Sequence, residues 1–191
     1  EGAVLVDGVD VRDYAPGALY DRLGYVTQKA VLFSGSIEDN VLFGESAAEQ
    51  TEETAAAAIE AAQAKEFVDK LPEGTDYHIA QLGRNVSGGQ KQRLAIARAL
   101  ARGAEILVFD DSFSALDYKT DAALRGELSR RFADTTKVIV AQRISSIRHA
   151  DEIIVLDRGE AVGIGTHDEL MRTCRVYQEI ATSQLSAAEL A

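Results

Sequence analysis

The chain has 191 residues, and its 20 Lys and Arg stand against 31 Asp and Glu, which gives a formal net charge of −11. This length suits one domain with a buried core, and the acidic balance argues against a protein that holds nucleic acid or anionic lipid through bulk charge. The single cysteine, Cys174, excludes an intrachain disulfide framework and a cysteine-based zinc site.

The sequence also bears on the setting of the protein. No apolar run approaches the roughly 20 residues that span a bilayer, and nothing resembles a signal peptide, so we expect a reducing, cytosolic environment. The only methionine is Met171, and the chain opens directly on the apolar stretch Ala3–Val6. We therefore expect a piece of a longer polypeptide.

Short apolar runs predict six strands, and three of these runs contain no polar residue. Such uninterrupted runs are typical of strands buried on both faces of a parallel sheet; they are Ile106–Phe109, Val138–Val140 and Ile153–Leu156. In chain order, the predicted strands are Ala3–Asp7, Leu23–Thr27, Ile106–Asp110, Lys137–Ala141, Glu152–Asp157 and Glu160–Gly163.

Helical patterns alternate with these strands, which predicts an α/β fold with a mostly parallel sheet. The stretch from Phe33 to Gly83 is mostly helical in pattern, so we expect an inserted helical subdomain over about residues 33–103. We place Pro16 and Pro72 in loops and expect the polar tail Thr182–Ala191 to fray. The predicted helices are Thr51–Ala64, Ser87–Arg102, Asp121–Phe132 and His167–Met171.

The segment Ser87-Gly88-Gly89-Gln90 opens one of these helices. Ser87 is a good N-cap residue, and the two glycines allow a ligand to approach the backbone closely. The free N–H groups and the positive end of the helix dipole favour an anion, most naturally a phosphate. An ordinary capped helix after a glycine turn would have the same residues, so this segment alone leaves both interpretations open.

Two carboxylates follow a predicted buried strand, because Ile106–Phe109 runs into Asp110 and Asp111. The carboxyl ends of such strands are where α/β sheets bind ligands. In phosphoryl-transfer proteins the first such Asp helps to hold Mg²⁺, and a following acid can orient the attacking water. The alternative is a strand that simply meets solvent, and it would be favoured if the acidic pair stood alone.

Further motifs in the same order make the chain resemble the nucleotide-binding domain of an ATP-binding cassette (ABC) transporter. The resemblance covers nearly the whole chain and rests on the Q-loop, the exporter segment after it, the loop that faces the intracellular helices, the signature with its helix, Walker B, the D-loop and a closing exporter motif. These correspond in order to Tyr25–Gln28, Leu32–Val41, Ile79–Asn85, Val86–Leu100, Ile106–Asp110, Ser114–Asp117 and Gly165–Leu170.

The resemblance implies a P-loop NTPase-like ABC ATPase fold that binds ATP and Mg²⁺. It gives Gln28 contact with Mg²⁺ and water, makes Asp110 a Mg²⁺ ligand and counts Asp117 of the D-loop among the ATP-binding residues. It also implies that Ser87-Gly88-Gly89-Gln90 contacts the γ-phosphate of an ATP held by a second nucleotide-binding domain. The remainder outside the helical subdomain would be a RecA-like core.

The sequence departs from the family pattern at three points. No G-x-x-x-x-G-K-[ST] occurs, so the Walker A loop that cradles the phosphates is missing, and we expect the isolated chain to be inactive. Asp111 stands where the family usually has the catalytic glutamate, and Gln142 stands at the position of the switch histidine. Since Gln142 cannot carry a proton at neutral pH, we expect a hydrolytically weakened site.

Family members work as head-to-tail dimers, so the resemblance implies a second nucleotide-binding domain as partner. Because this chain's own site is altered while its signature is intact, we expect that partner to belong to a different half-transporter. We therefore expect the degenerate half of a heterodimeric exporter, fused to a transmembrane domain outside this chain and lying at the cytoplasmic face of the cell membrane. A homodimer, a non-transport ABC ATPase and a folded interaction module without activity stay open, although the exporter-like Leu32–Val41 argues against the second.

Overall fold

The computed structural model describes residues 2–44 and 49–184. They fall into two compact units, one reaching to Val140 and the other starting at Ala141, and each has its own cluster of buried apolar side chains. None of the helices in the described part of the chain is long and apolar enough to cross a membrane.

The first unit is built on a parallel sheet of three strands in the order β3–β6–β7. The strands are β3 (Leu23–Val26), β6 (Ile106–Asp110) and β7 (Thr136–Val140). Because Val26 lies opposite Phe109 and Asp110 opposite Val140, the carboxyl ends of the three strands meet at one edge. The predicted α/β fold with a parallel sheet is confirmed.

The helices of the first unit are α1 (Pro16–Asp21), α2 (Ile37–Val41), α3 (Glu52–Ala61), α4 (Lys65–Val68), α5 (Gly88–Ala101) and α6 (Tyr118–Arg131). Two short antiparallel pairs accompany them: β1 (Leu5–Val6) with β2 (Val9–Asp10), and β4 (Gly35–Ser36) with β5 (His78–Ile79). Single 3₁₀ turns lie at Gly74–Asp76 and Gln81–Gly83.

Helix α5 lies at the centre of the packing in this unit, where it contacts α2, α3 and β3. Leu94, Ile96 and Leu100 point to more than one side of this helix and are all buried, as expected of a helix that is enclosed on most of its surface. The same helix buries one polar side chain, Gln92, which is 2% exposed. Such a group needs hydrogen-bond partners, since burying it without one costs free energy.

Several predicted elements differ from the observed ones in the first unit. The first strand shrinks to Leu5–Val6 and pairs within a hairpin. Pro16 is the first residue of α1 and not a loop residue. Proline is tolerated there because a backbone N–H at the first position of a helix has no acceptor within the helix. The stretch 33–83 is only partly helical, because β4 and β5 pair within it, whereas Pro72 lies in a turn as predicted.

The prediction that β7 is buried on both faces is wrong. Val138 and Val140 are 49% and 53% exposed. Side chains alternate along a strand, so these two residues point away from the face on which Phe109 is completely buried. An uninterrupted apolar run therefore did not mark burial on both sides here.

Within residues 141–184, the part of the second unit that the structure describes, there are one antiparallel pair of strands and three helices. These elements are α7 (Ile144–Ile147), β8 (Ile153–Asp157), β9 (Glu160–Gly165), α8 (His167–Thr173) and α9 (Arg175–Gln184).

The core of this second unit includes Ile153, Val155, Leu170 and Tyr177. The parallel, doubly buried strand predicted at Ile153–Leu156 is wrong, because β8 pairs with β9 in a hairpin and leaves Leu156 69% exposed. Of the tail predicted to fray, residues 182–184 belong to α9 and residues 185–191 lie outside the described part.

Gly24 gives a testable consequence of the close packing of β3. A Cβ atom at this position would lie 2.6 Å from Cδ2 of Leu107 and 2.9 Å from the carbonyl oxygen of Ala99. We expect Gly24→Ala to lower the free energy of unfolding by about 2 kcal/mol, since overpacking displaces neighbouring atoms. Denaturant titration of the chain measures this.

Gly17 is the matched control, because a Cβ there meets nothing within 4 Å and the residue lies in α1. Gly17→Ala should raise the free energy of unfolding by about 0.5 kcal/mol, through the reduced entropy of the unfolded chain. Equal effects of the two substitutions would contradict the packing described at β3.

Candidate functional site

The carboxyl ends of β3 and β6 bring two of the predicted site residues together. Gln28 follows β3 by two positions, and its Nε2 donates a hydrogen bond to Oδ2 of Asp111 at 3.2 Å. Asp111 follows β6 directly, and its backbone N–H donates to the carbonyl oxygen of Val140 in β7 at 2.9 Å. The amide and the carboxylate thus meet at the edge where the three strands end.

Asp110, the last residue of β6, has a partner that the sequence analysis missed. The hydroxyl group of Tyr25 donates a hydrogen bond to Oδ2 of Asp110 at 3.2 Å. This bond, with smaller contributions from desolvation and from the negative charge of Asp110, raises the pKa of Tyr25. Tyr25 lies beside Val108 in the register of β3 and β6, so only the strand pairing could have revealed the contact.

The backbone at Asp111 is unusual. Its φ angle of 44° lies in the left-handed region, which Asp and Asn adopt more readily than other residues that carry a Cβ. The next residue, Ser112, is fully buried, and its hydroxyl donates to the carbonyl oxygen of Val26 at 3.0 Å. The turn after β6 is therefore fixed against β3 and aims the two aspartates at the strand ends.

The signature segment forms the N-terminus of α5 as predicted. Ser87 is the N-cap, and its Oγ accepts a hydrogen bond from the backbone N–H of Gln90 at 3.3 Å. The side-chain Oε1 of Gln90 accepts from the backbone N–H of Ser87 at 2.8 Å, which completes a capping box. Gln90 therefore has a structural role at the helix start that the sequence analysis did not assign.

The two glycines of the signature leave space at this helix end. A Cβ at Gly88 would meet nothing within 4 Å, and one at Gly89 would lie 3.5 Å from the carbonyl oxygen of Ala115. Neither glycine has a positive φ angle. The fold itself therefore does not require glycine at position 88, which leaves the backbone there open to a ligand.

Asp117 serves as the N-cap of α6. One carboxylate oxygen accepts from the backbone N–H of Thr120 at 2.9 Å, and the other accepts from the Thr120 hydroxyl at 2.7 Å. The backbone bond is the main cause of the lowered pKa of Asp117. The helix therefore begins at Tyr118, three residues before the predicted Asp121, and the spacing of Asp and Thr was the signal for this cap.

Gln142 lies in the second unit, where its main-chain carbonyl accepts a hydrogen bond from Nε2 of Gln184 at 2.8 Å. Its place relative to Asp110 and Asp111 stays a prediction from the sequence.

The donor atoms at the strand ends suit Mg²⁺ that is partly held by a nucleotide. They do not form a complete protein site, because within residues 2–44 and 49–184 no group of three or more His, Cys, Asp or Glu side chains is arranged to hold a metal ion. Asp110 and Asp111 offer carboxylate oxygens, and Gln28 offers an amide oxygen. Mg²⁺ is commonly bound through one or two carboxylates together with phosphate oxygens and water, so this set fits Mg²⁺ that arrives with a nucleotide.

A parallel sheet whose strand ends gather two carboxylates and an amide is typical of α/β proteins that bind a ligand at this edge. Comparison with known families makes this specific. A sequence profile described as ABC transporter matches residues 1–114, and the chain belongs to this family. The resemblance drawn from the motifs is confirmed.

Individual relatives agree with this assignment. An uncharacterised ABC transporter ATP-binding protein of Mycobacterium tuberculosis is 46% identical over 188 residues, which are 98% of this chain and 32% of the relative. The ATP-dependent lipid A-core flippase of Haemophilus influenzae is 39% identical over 186 residues, which are 97% of this chain and 32% of the flippase.

Among solved structures, a bacterial Atm1-family ABC exporter with ATP bound matches with a TM-score of 0.90 at 35% identity. The match covers 96% of this chain and 32% of the exporter chain. The chain therefore spans about a third of the length of the relatives that it matches.

Proposed function

We propose that this chain is the ATP-binding portion of an ABC exporter and that it binds Mg-ATP at an interface with a second nucleotide-binding domain. The observation that carries the proposal is the hydrogen bond between Gln28 and Asp111 at 3.2 Å, beside Asp110 at the ends of β3 and β6. Two carboxylates and an amide oxygen at this edge are donors that suit a Mg²⁺ ion carried by the phosphates of a nucleotide.

At its own site, Asp110 would hold Mg²⁺, and Gln28 would contact the ion and the attacking water. Mg²⁺ supplies charge neutralisation for the phosphates when it is bound. Asp111 stands where a longer glutamate would act as base, and its shorter side chain is already held by the amide of Gln28. Gln142 cannot supply the positive charge of a protonated histidine. We therefore propose that this site holds ATP but hydrolyses it slowly.

At the partner's site, the signature of this chain supplies the anion contacts. The open N-terminus of α5 presents backbone N–H groups and a positive dipole end, and Ser87, Gly88, Gly89 and Gln90 surround it. We propose a partner from a different half-transporter, which carries the glutamate and the histidine that this chain lacks. The two sites of such a dimer differ, and hydrolysis occurs mainly at the one completed by this signature.

The relatives named as a lipid A-core flippase and as a putative multidrug export ATP-binding/permease protein of Staphylococcus aureus support outward transport as the process that this ATP drives. In this proposal, the chain lies at the cytoplasmic face of the membrane and is fused to a membrane domain. The cargo is selected by that domain and not by the residues described above.

The sequence that precedes this chain in the intact polypeptide tests the transport proposal. We expect about six apolar spans of roughly 20 residues each, followed by a G-x-x-x-x-G-K-[ST] motif. Intact polypeptide that lacks apolar spans would contradict export and would support a non-transport ABC ATPase. Polypeptide without any phosphate-binding motif would contradict ATP binding and would leave a folded interaction module.

A further inference from the structure

The loop that carries Gln28 is attached at both ends to the same helix. Before Gln28, the carbonyl oxygen of Thr27 accepts a hydrogen bond from Nε2 of Gln92 at 3.3 Å. After it, the carbonyl oxygen of Val31 accepts from Nη1 of Arg98 at 2.9 Å. Both donors belong to α5, so one helix fixes the positions at which the loop begins and ends.

The attachment by Arg98 is extensive. Its Nε donates to the carbonyl oxygen of Asn40 at 2.7 Å, and its Nη2 donates to the side-chain oxygen of Asn40 at 3.0 Å. The side-chain oxygen of Asn40 also accepts from the backbone N–H of Phe33 at 2.8 Å, and the guanidinium lies over the Phe33 ring at 5.2 Å. Desolvation lowers the pKa of Arg98, which indicates that these bonds replace contact with water.

Gln92 is buried, since it is 2% exposed, and its amide donates to Thr27 across a separation of 65 positions in the chain. Between the two attachments, the hydroxyl of Thr27 donates to the carbonyl oxygen of Lys29 at 2.7 Å and shapes the loop locally. The side-chain amide of Gln28 donates a hydrogen bond to Asp111. The main chain is therefore hydrogen-bonded to side chains of α5 both before and after Gln28.

Helix α5 begins at the signature, directly after Ser87. A helix transmits displacement along its length because its backbone is hydrogen-bonded from turn to turn. We infer that Gln92 and Arg98 are positioning residues that set Gln28 against Asp111, so that the geometry of this chain's own ATP site depends on the position of its signature helix. This inference rests on the proposed binding of Mg-ATP, and it adds a connection between the two sites to which one chain contributes.

The test uses the intact polypeptide and two readouts, neither of which is turnover. The first is hydrogen–deuterium exchange of the peptide that spans Thr27–Val31. The second is the Mg²⁺ concentration that half-saturates ATP binding. Gln92→Met keeps the length of the side chain but removes its amide donor. We expect it to increase exchange in Thr27–Val31 and to raise the half-saturating Mg²⁺ concentration about 5-fold, the effect of one hydrogen bond.

A double-mutant cycle with Gln28→Ala separates positioning from a general structural role. Because Gln92 acts through Gln28, the double variant should need no more Mg²⁺ than Gln28→Ala alone. Arg98→Met should behave like Gln92→Met, and Arg98→Lys should recover part of the effect because it keeps a charged donor for Val31. Additive effects with Gln28→Ala would overturn the inference.

Arg93→Met is the matched control for exchange. Arg93 also lies on α5 and also donates to main-chain carbonyls, those of Gln63 at 2.7 Å and Gly89 at 3.3 Å. We expect this substitution to leave exchange in Thr27–Val31 unchanged, and an equal increase would overturn the inference. Intact polypeptide that binds no Mg-ATP would contradict the proposed function, whereas unchanged exchange in Gln92→Met and Arg98→Met would contradict the positioning role by itself.

Discussion

Gly88→Asp is expected to lower ATP turnover by the assembled transporter about 100-fold, the usual effect of spoiling a pre-organised charge-stabilising group. The new carboxylate would lie at the first position of α5, where the partner's γ-phosphate is proposed to bind. Two negative charges in close contact repel each other strongly where water is excluded. The partner's site would therefore lose its contact with the signature.

The same substitution should not destabilise the domain. A Cβ at Gly88 meets nothing within 4 Å, and a negative charge at a helix N-terminus is stabilising by about 0.5 kcal/mol. We therefore expect thermal stability to be retained or slightly raised while turnover falls. A loss of function accompanied by a gain in stability is difficult to explain by misfolding.

Gly126→Asp is the control for the added charge. Gly126 lies within α6, and a Cβ there also meets nothing within 4 Å. The control adds the same side chain to an open helical position outside the signature, so turnover should stay near that of the unchanged protein. Turnover of Gly88→Asp equal to that of the control would show that the signature does not face a phosphate.

Structural features that depend on a single short segment could be predicted from the sequence. Ser87 and Gln90 form the capped helix start within four consecutive residues, so no distant contact was needed to foresee it. The run Ile106–Asp110 became the central strand of a parallel sheet, because apolar strands alternating with helices leave few other arrangements. The two aspartates consequently lie at the strand end, as their place in the sequence indicated.

Contacts between segments that are far apart in the chain could not be predicted from the sequence of either segment. The contact between Tyr25 and Asp110 depends on the register that sets β3 beside β6, and nothing in either segment alone specifies that register. The attachment of Thr27 by Gln92 is of the same kind. The position of the polar Gln92 among apolar residues of α5 indicates that it needs a hydrogen-bond partner, but it does not identify Thr27 as that partner.

The hairpin of the second unit was a different kind of error, since its signal was local. Arg158 and Gly159 have φ angles of 51° and 85°, and they form the two-residue link between β8 and β9. A link of two residues ending in glycine favours an antiparallel hairpin. Uninterrupted hydrophobicity outweighed that signal in the prediction of a parallel strand at Ile153–Leu156.

Hydrolysis at the weakened site is measured most directly in an intact transporter that carries Gly88→Asp, which silences the partner's site, together with Asp111→Glu and Gln142→His. The glutamate restores the missing methylene, and the histidine restores a side chain that can be protonated near neutral pH. Because a displacement of ~1 Å in a catalytic group can cost roughly 100-fold, we expect turnover at this site to rise by about two orders of magnitude.

Asp111→Asn combined with Gln142→His is the matched control. Asparagine tolerates the left-handed backbone at this position, where φ is 44°, and its side-chain oxygen can still accept from Gln28, but it cannot act as a base. ATP turnover is measured for both double variants after equal ATP binding and thermal stability have been verified. With both double variants compared in the Gly88→Asp background, a rise confined to the glutamate variant is the predicted result, and turnover that stays at the level of Gly88→Asp alone would contradict a hydrolytically weakened site.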